Sequence, residues 1–147
     1  MSKLKAIEHI TACGHVNIKS TNKTTFEITK ETHLTPRGDC IIAVGATKGA
    51  VDLSQKFKTI ACTQDAMITI KIDAGGETEK VTACGHPALL FTHTTDLVVR
   101  KSDNVCGRTL AIRANKAACD FSRRFVEKLR NPNQKVLITL IAEAHAT

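Results

Sequence analysis

The chain has no tryptophan and no tyrosine, and its five aromatic residues are all phenylalanine. Single-strand nucleic-acid binders usually stack bases on exposed aromatic rings. Four of the five, Phe26, Phe57, Phe121 and Phe125, fit apolar core positions, so a stacking platform is not expected. No apolar run approaches the roughly 18 residues that a membrane span requires. The first residues, Met1-Ser2-Lys3-Leu4-Lys5, lack the apolar core of a secretory signal, which points to a cytoplasmic protein. In that compartment the six cysteines, Cys13, Cys40, Cys62, Cys84, Cys106 and Cys119, are expected as reduced, small hydrophobes. Intracellular disulfides would need a hyperthermophilic source, and sequence alone assigns no pairing. Phosphate-binding P-loops, dinucleotide fingerprints and the Gly-x-Ser-x-Gly nucleophile motif are missing too.

What is present is a globular composition: 147 residues, 42% hydrophobic and 24% charged. That length is enough for one domain with a real core. Net charge is +7, and it is shared between the halves. Residues 1–76 carry ten Lys/Arg against seven Asp/Glu, and residues 77–147 eleven against seven. An even basic surplus suits anionic partners such as RNA or phosphorylated small molecules, and equally an ordinary lysine-rich surface.

The strongest pattern is an internal repeat. Thr11-Ala12-Cys13-Gly14-His15 recurs as Thr82-Ala83-Cys84-Gly85-His86, and at that offset eight of the twenty positions from 11 to 30 are identical. Past Lys30 the second copy is three residues shorter. Ala43, Ala46, Lys48, Ala50, Asp52, Ser54 and Phe57 then match Ala111, Ala114, Lys116, Ala118, Asp120, Ser122 and Phe125. Two repeat units, about 4–76 and 77–147, are expected to form one domain around a pseudo-two-fold axis.

Each unit reads as β-β-β-α-β. Period-two alternation puts Phe26 and Ile28 on one face of a strand, with Leu97 and Val99 as their counterparts. Strands are expected at about 4–13, 40–44 and 67–72, and at 77–84, 108–112 and 136–141. A helix is expected to start at Thr47 or Asn115, both good N-cap types, with apolar stripes Ala50-Leu53-Phe57-Ile60 and Ala118-Phe121-Phe125-Leu129. Asp52, Asp120, Ser54 and Ser122 fall on the solvent face of those helices. Eight strands without β-α-β alternation make a mainly β fold, a two-sheet sandwich or jelly-roll-like barrel with two helices packed on the sheets.

Several segments carry a family resemblance. They are Thr24-Thr25-Phe26-Glu27-Ile28-Thr29-Lys30, Leu34-Thr35-Pro36-Arg37-Gly38-Asp39-Cys40-Ile41-Ile42, Thr92-His93-Thr94-Thr95-Asp96-Leu97-Val98-Val99-Arg100-Lys101-Ser102-Asp103 and Cys106-Gly107-Arg108-Thr109-Leu110-Ala111-Ile112, together with Gly14-His15. Over nearly its whole length the sequence resembles the archaeal domain-of-unknown-function family 371. The resemblance implies a mainly β, jelly-roll-like protein of an archaeal cytosol and assigns no activity.

Three constellations carry chemistry. The repeated Cys-Gly-His motif supplies Cys13, His15, Cys84 and His86; if the pairs face each other across the pseudo-axis they form a tetrahedral zinc set. Otherwise the cysteines end strands and each histidine caps a turn. The second constellation, His86, His93 and Asp96, is complete in the second copy only, its first-copy counterparts being His15, Asn22 and Thr25, and could perform acid–base work or hold a divalent metal. The third is basic: Lys30, Arg37, Lys48, Lys101, Arg108 and Lys116. Lys48 and Lys116 fall where a helix dipole disfavours a cation, as expected if a bound phosphate sits at each helix start. The reading favoured by charge is a binding module for a phosphate-bearing ligand, either structured RNA or a nucleotide-like metabolite. The rivals are a small enzyme using His86, His93 and Asp96, with or without a metal cofactor, and a structural subunit of a larger assembly.

Overall fold

A computed structural model describes residues 3–145. The chain forms two four-stranded sheets. One takes β1 (Lys3–Cys13), β8 (Lys135–His145), β4 (Met67–Ala74) and β5 (Glu77–Cys84) in the order β1-β8-β4-β5, antiparallel throughout. The other takes β2 (Thr25–Thr29), β3 (Ile41–Ala43), β6 (Asp96–Arg100) and β7 (Thr109–Ala111) in the order β3-β2-β6-β7. Its central pair is antiparallel and its two outer pairs are parallel. The fold is a two-sheet β sandwich, not a closed barrel.

The repeat explains this order. β1, β2, β3 and β4 correspond to β5, β6, β7 and β8, and the pseudo-axis passes between β4 and β8 in one sheet and between β2 and β6 in the other. In the first sheet the strands of the two units alternate, so each unit completes the other's pairing. The backbone is duplicated even where side chains diverge. Ser20 and Phe91 occupy equivalent left-handed positions at φ 51° and 52°, as do Gly45 and Arg113 at 60° and 51°.

Apolar residues at every second position fill the space between the sheets. Ile68, Ile70 and Ile72 of β4 and Ile138 and Leu140 of β8 face Phe26 and Ile28 of β2 and Leu97 and Val99 of β6; all are buried. All five phenylalanines are buried with them, leaving none on the surface. β3 and β7, the outer strands of the second sheet, are short because the chain leaves them for the first. Val44 bridges Cys13 and Ile112 bridges Cys84, which ties the end of β3 to β1 and the end of β7 to β5.

The helices begin later than the sequence pattern indicates. Residues 50–52 and 118–120 form single 3-10 turns; Leu53 and Phe121 are then extended and buried. Only after them do α1 (Gln55–Ala61) and α2 (Arg123–Leu129) start. Their N-caps are Ser54 and Ser122, whose hydroxyls accept the Phe57 and Phe125 backbone N–H groups at 3.1 and 3.2 Å. Thr47 and Asn115, expected as caps, instead accept the N–H groups of Thr11 and Thr82 on the edge strands β1 and β5. This satisfies donors that an edge strand would otherwise present to another chain.

Candidate active site

The Cys-Gly-His motifs are the joints between the two units. Leaving β1, the Gly14 N–H donates to the Gln134 carbonyl and the His15 N–H to the Leu129 carbonyl at the end of α2; leaving β5, Gly85 and His86 do the same to Ala66 and Ala61 at the end of α1. Each motif thus caps the helix of the other unit, satisfying a carbonyl with no intrahelical partner. Glycine is required because a Cβ at position 14 would strike the carbonyl oxygens of Leu129 and Asn131, and one at 85 that of Ala61. The histidine rings close the turn, their Nδ1 atoms accepting the Asn17 and Ala88 N–H groups at 3.0 and 2.9 Å.

The structure does not assemble the expected zinc set. Cys13 and Cys84 end β1 and β5, the opposite edges of one sheet, and also lie at its opposite ends, level with Lys135 and Glu143 of β8, which puts them roughly 30 Å apart at ordinary strand spacing and rise. Among the described residues no three His, Cys, Asp or Glu side chains are arranged to hold a metal ion. All six cysteines are free thiols.

The basic residues expected at the helix starts also have internal partners. The anion there is the protein's own carboxylate. Glu8, facing inward from β1, accepts the Ser54 N–H at 3.0 Å and pairs with Lys48 at 3.3 Å. Glu79 on β5 accepts the Ser122 N–H at 2.8 Å and pairs with Lys116 at 2.7 Å. Lys30 and Lys101 pair with Asp52 and Asp120 at 3.3 and 2.7 Å. Those aspartates also accept the Gly49 and Ala117 N–H groups that open the 3-10 turns. The Gly49 N–H, with Lys30, holds the Asp52 carboxyl below the usual range, and Lys101, with the Ala117 N–H, does so for Asp120. They are not merely the solvent face of a helix. Arg37 is exposed on its loop, with no ion pair among the described residues.

His93 and Asp96 do come together, and His86 does not join them. His86 lies at the end of α1, whereas the His93 N–H bonds the Gly107 carbonyl. The His93 ring accepts the Asp96 N–H at 2.9 Å and the Thr95 N–H at 3.3 Å, both through Nδ1. A neutral ring then carries its proton on Nε2, which lies 3.9 Å from Asp96 Oδ2. Asn22, its counterpart in the first unit, closes the same turn by accepting the Thr24 and Thr25 N–H groups, each at 3.0 Å.

Around this pair lies a cluster on the outer face of the second sheet. Strand alternation aims Thr25, Glu27 and Thr29 of β2 and Asp96, Val98 and Arg100 of β6 to that side. The 101–108 loop brings Arg108 over it. The Arg108 guanidinium lies 3.4 Å from Glu27 Oε1 and 3.5 Å from Asp96 Oδ2. Asp96 Oδ1 accepts the hydroxyls of Thr29 and Thr95 at 2.8 and 2.9 Å. Glu27 is only 7% exposed. Burial, and then the Asp96 carboxylate, push its carboxyl up to about 7 against the pull of Arg108 and Arg100. Cys40, also near Glu27, has its thiol raised by burial and by that carboxylate.

Beside Arg108 lies a second group. Arg100 donates to Thr109 Oγ1 at 3.1 Å and to Cys106 Sγ at 3.3 Å, and Thr109 Oγ1 also accepts the Cys106 N–H at 3.0 Å. Burial would raise the Cys106 thiol, but hydrogen bonds from Thr109, the Arg108 backbone and Arg100 outweigh it and bring the thiol down to about 7. Surface clefts lined by Lys3, Thr63 and Glu143 and by Lys71, Asp73 and Lys80 include none of these groups. Arg108 covers the Glu27 and Asp96 carboxyls, which are themselves largely buried, and is the exposed member of the group.

Glu27, Cys106 and Thr109 were not singled out as a site by sequence. One signal was available for Glu27: its repeat counterpart is Val98, so that position is sheltered in both units.

A family model described as a domain of unknown function, DUF371, matches residues 10–143. The chain belongs to that family. It is also similar to an uncharacterised protein of the archaeon Methanocaldococcus jannaschii, with 41% identity over 132 residues, covering 90% of this chain and 97% of the relative. The family match spans both repeat units and every residue of the cluster.

Proposed function

We propose that this DUF371 protein is an acid–base enzyme with its active centre on the outer face of the β3-β2-β6-β7 sheet. The observation that carries the reading is the Glu27 carboxyl, buried beside Asp96 and Arg108 and brought to about 7. A proton-transfer group works best when its own titration lies near the operating pH. Glu27 gives or takes the proton, Arg108 holds the two carboxylates together and balances developing negative charge, and His93 extends the relay from Asp96. Buried carboxylates flanked by cations also occur in purely structural networks, so the distinguishing property is turnover.

The test is a screen of hydrolytic and isomerising reactions on wild type, Glu27→Gln and His93→Asn. The asparagine variant preserves the turn, since Asn22 already closes its twin. A turnover found in wild type should be optimal near neutrality and fall about 100-fold or more in both variants. Equal activity in the variants, or no turnover in wild type, overturns the reading.

A second reading, binding of structured RNA or a nucleotide-like ligand, retains one observation. The helix-start lysines hold internal carboxylates, but Lys5, Lys71, Lys80 and Lys135 have no ion pair among the described residues, and alternation sends all four to the outer face of the β1-β8-β4-β5 sheet. RNA bound there would be read by shape and backbone. Fluorescence anisotropy with an RNA hairpin should show salt-dependent binding, and Lys71→Glu with Lys80→Glu should reduce the salt slope by about 2. Wild type that fails to bind at low salt removes this reading.

A further inference from the structure

The group beside Arg108 has no part in the proton relay, and its composition is specific to one half of the molecule. In the first unit Cys106 becomes Gly38, Arg100 becomes Thr29 and Thr109 becomes Ile41. The shared fold therefore needs none of the three, and all three differ together. They also make a coherent arrangement. Arg100 reaches the sulfur at 3.3 Å while its Nε is fixed by Thr109, and Thr109, fully buried, holds the Cys106 backbone as well. The thiol is partly exposed, and two residues on, Arg108 pairs with Glu27 and Asp96, while its backbone N–H bonds to the sulfur. A partly exposed sulfur held beside the Arg100 guanidinium has the surroundings of a nucleophile, not of an inert core thiol.

We propose that Cys106 is the nucleophile of this centre and that its substrates are acyl esters or thioesters. This rests on the acid–base reading for its proton step. The thiolate forms a bond from sulfur to the acyl carbon, and the bond from that carbon to the leaving oxygen or sulfur breaks. The departing group takes its proton from the Glu27 carboxyl, while Arg100 and Arg108 stabilise the negative charge that builds on the acyl oxygen. Water then attacks the acyl-sulfur bond, transfers a proton to Glu27, and releases the acid and the free thiolate. The charged groups that face the sulfur are Arg100 from β6 and Arg108 at the start of β7, with Glu27 on β2 and Asp96 on β6 beyond Arg108.

The test uses the whole protein with its six native cysteines. Iodoacetamide labelling, followed by peptide mass mapping across a pH series, compares Cys106 with the exposed Cys13 and Cys119 in the same sample. Cys106 should label at half its maximal rate near pH 7, and at mildly acidic pH about 10-fold faster than an ordinary thiol, which titrates near 8.5. Arg100→Gln should move that midpoint upward by about one unit, a change that loss of packing alone would not give. p-Nitrophenyl acetate should release about one equivalent of nitrophenolate in a burst and leave the acetyl group on Cys106. Labelling of Cys106 no faster than Cys119, or acetylation elsewhere, overturns the proposal. The two readings separate cleanly: if Cys106 is acetylated rapidly but Glu27 titrates as an ordinary carboxyl, the proton relay fails and the nucleophile stands. If Glu27 titrates near neutrality while Cys106 is inert, the nucleophile fails and the relay stands.

Discussion

Phe125→Ala will reduce unfolding stability by about 3–5 kcal/mol, the range for truncating a buried phenylalanine. Its ring has no exposed surface and sits in a row of three. Phe125 meets Phe121 at 5.5 Å between centroids, and Phe121 meets Phe26 at 5.1 Å, both edge-on. The row runs from α2, in the second unit, to β2, in the first, so it fastens the helix of one repeat to a strand of the other. Edge-on pairs add about 0.5–1.5 kcal/mol beyond the area they bury. Phe57, the repeat counterpart, is equally buried but touches a single ring, Phe91, at 6.4 Å. Phe57→Ala should therefore lie toward the lower end of the same range. Urea unfolding with an unchanged slope measures both. A loss under about 1 kcal/mol for Phe125→Ala would mean that α2 is not seated by this residue.

The same phenylalanines mark how far the sequence reveals the fold. Their repeat spacing, together with the alternation through Phe26-Ile28 and Ile68-Ile70-Ile72, is enough to place the core faces, because burial of every second residue is what a half-covered sheet imposes. Periodicity locates the helix faces but not their starts. Ala50, Leu53 and Phe57 have helical spacing, yet Leu53 is extended between a 3-10 turn and α1. An apolar stripe looks the same with or without that break. Thr47 and Ser54 are both good caps in isolation, and the choice depends on β1, which claims Thr47. Partners distant in sequence also settle the lysines. Nothing local to Lys48 or Lys116 reveals that Glu8 and Glu79, some forty residues earlier, already supply the negative charge at each helix start. The pairing of His93 with Asp96 was legible because both lie in one short segment and differ from the first unit. Glu27 was hidden by alternation itself, which says that a side chain faces away from the core and not whether another layer of side chains covers it.

That cover makes Glu27 a determinant of how stability varies with pH. An ordinary glutamate titrates near 4.5, and in the folded protein Glu27 does so at about 7. Between those values the native state keeps a proton that the unfolded chain releases. The native state is therefore favoured by this group in acid, and the advantage falls away as pH rises through about 7. The full difference amounts to about 3 kcal/mol. Asp52, Asp120 and Glu143 act with the opposite sign and in a lower window: hydrogen bonds from the Gly49 N–H, Lys101 and Lys3 respectively hold their carboxyls down. Their contribution is complete above the usual carboxylate range and is lost only as pH falls below it. Between about pH 5 and 7 Glu27 gives a falling slope; above 7 the lowered Cys106 thiol adds a slope of the opposite sign, which cancels when wild type is compared with a Glu27 variant. Glu27→Gln replaces a carboxyl that must ionise with a neutral group of the same shape. It should match wild type near pH 4 and exceed it by up to about 3 kcal/mol near pH 8. Urea unfolding of both proteins across that range reads the difference directly. Parallel curves would show that Glu27 ionises as an ordinary surface carboxyl. In that case the pressure of burial and of Asp96 on this group is too small for it to exchange protons at neutral pH, and the enzyme reading loses its central residue.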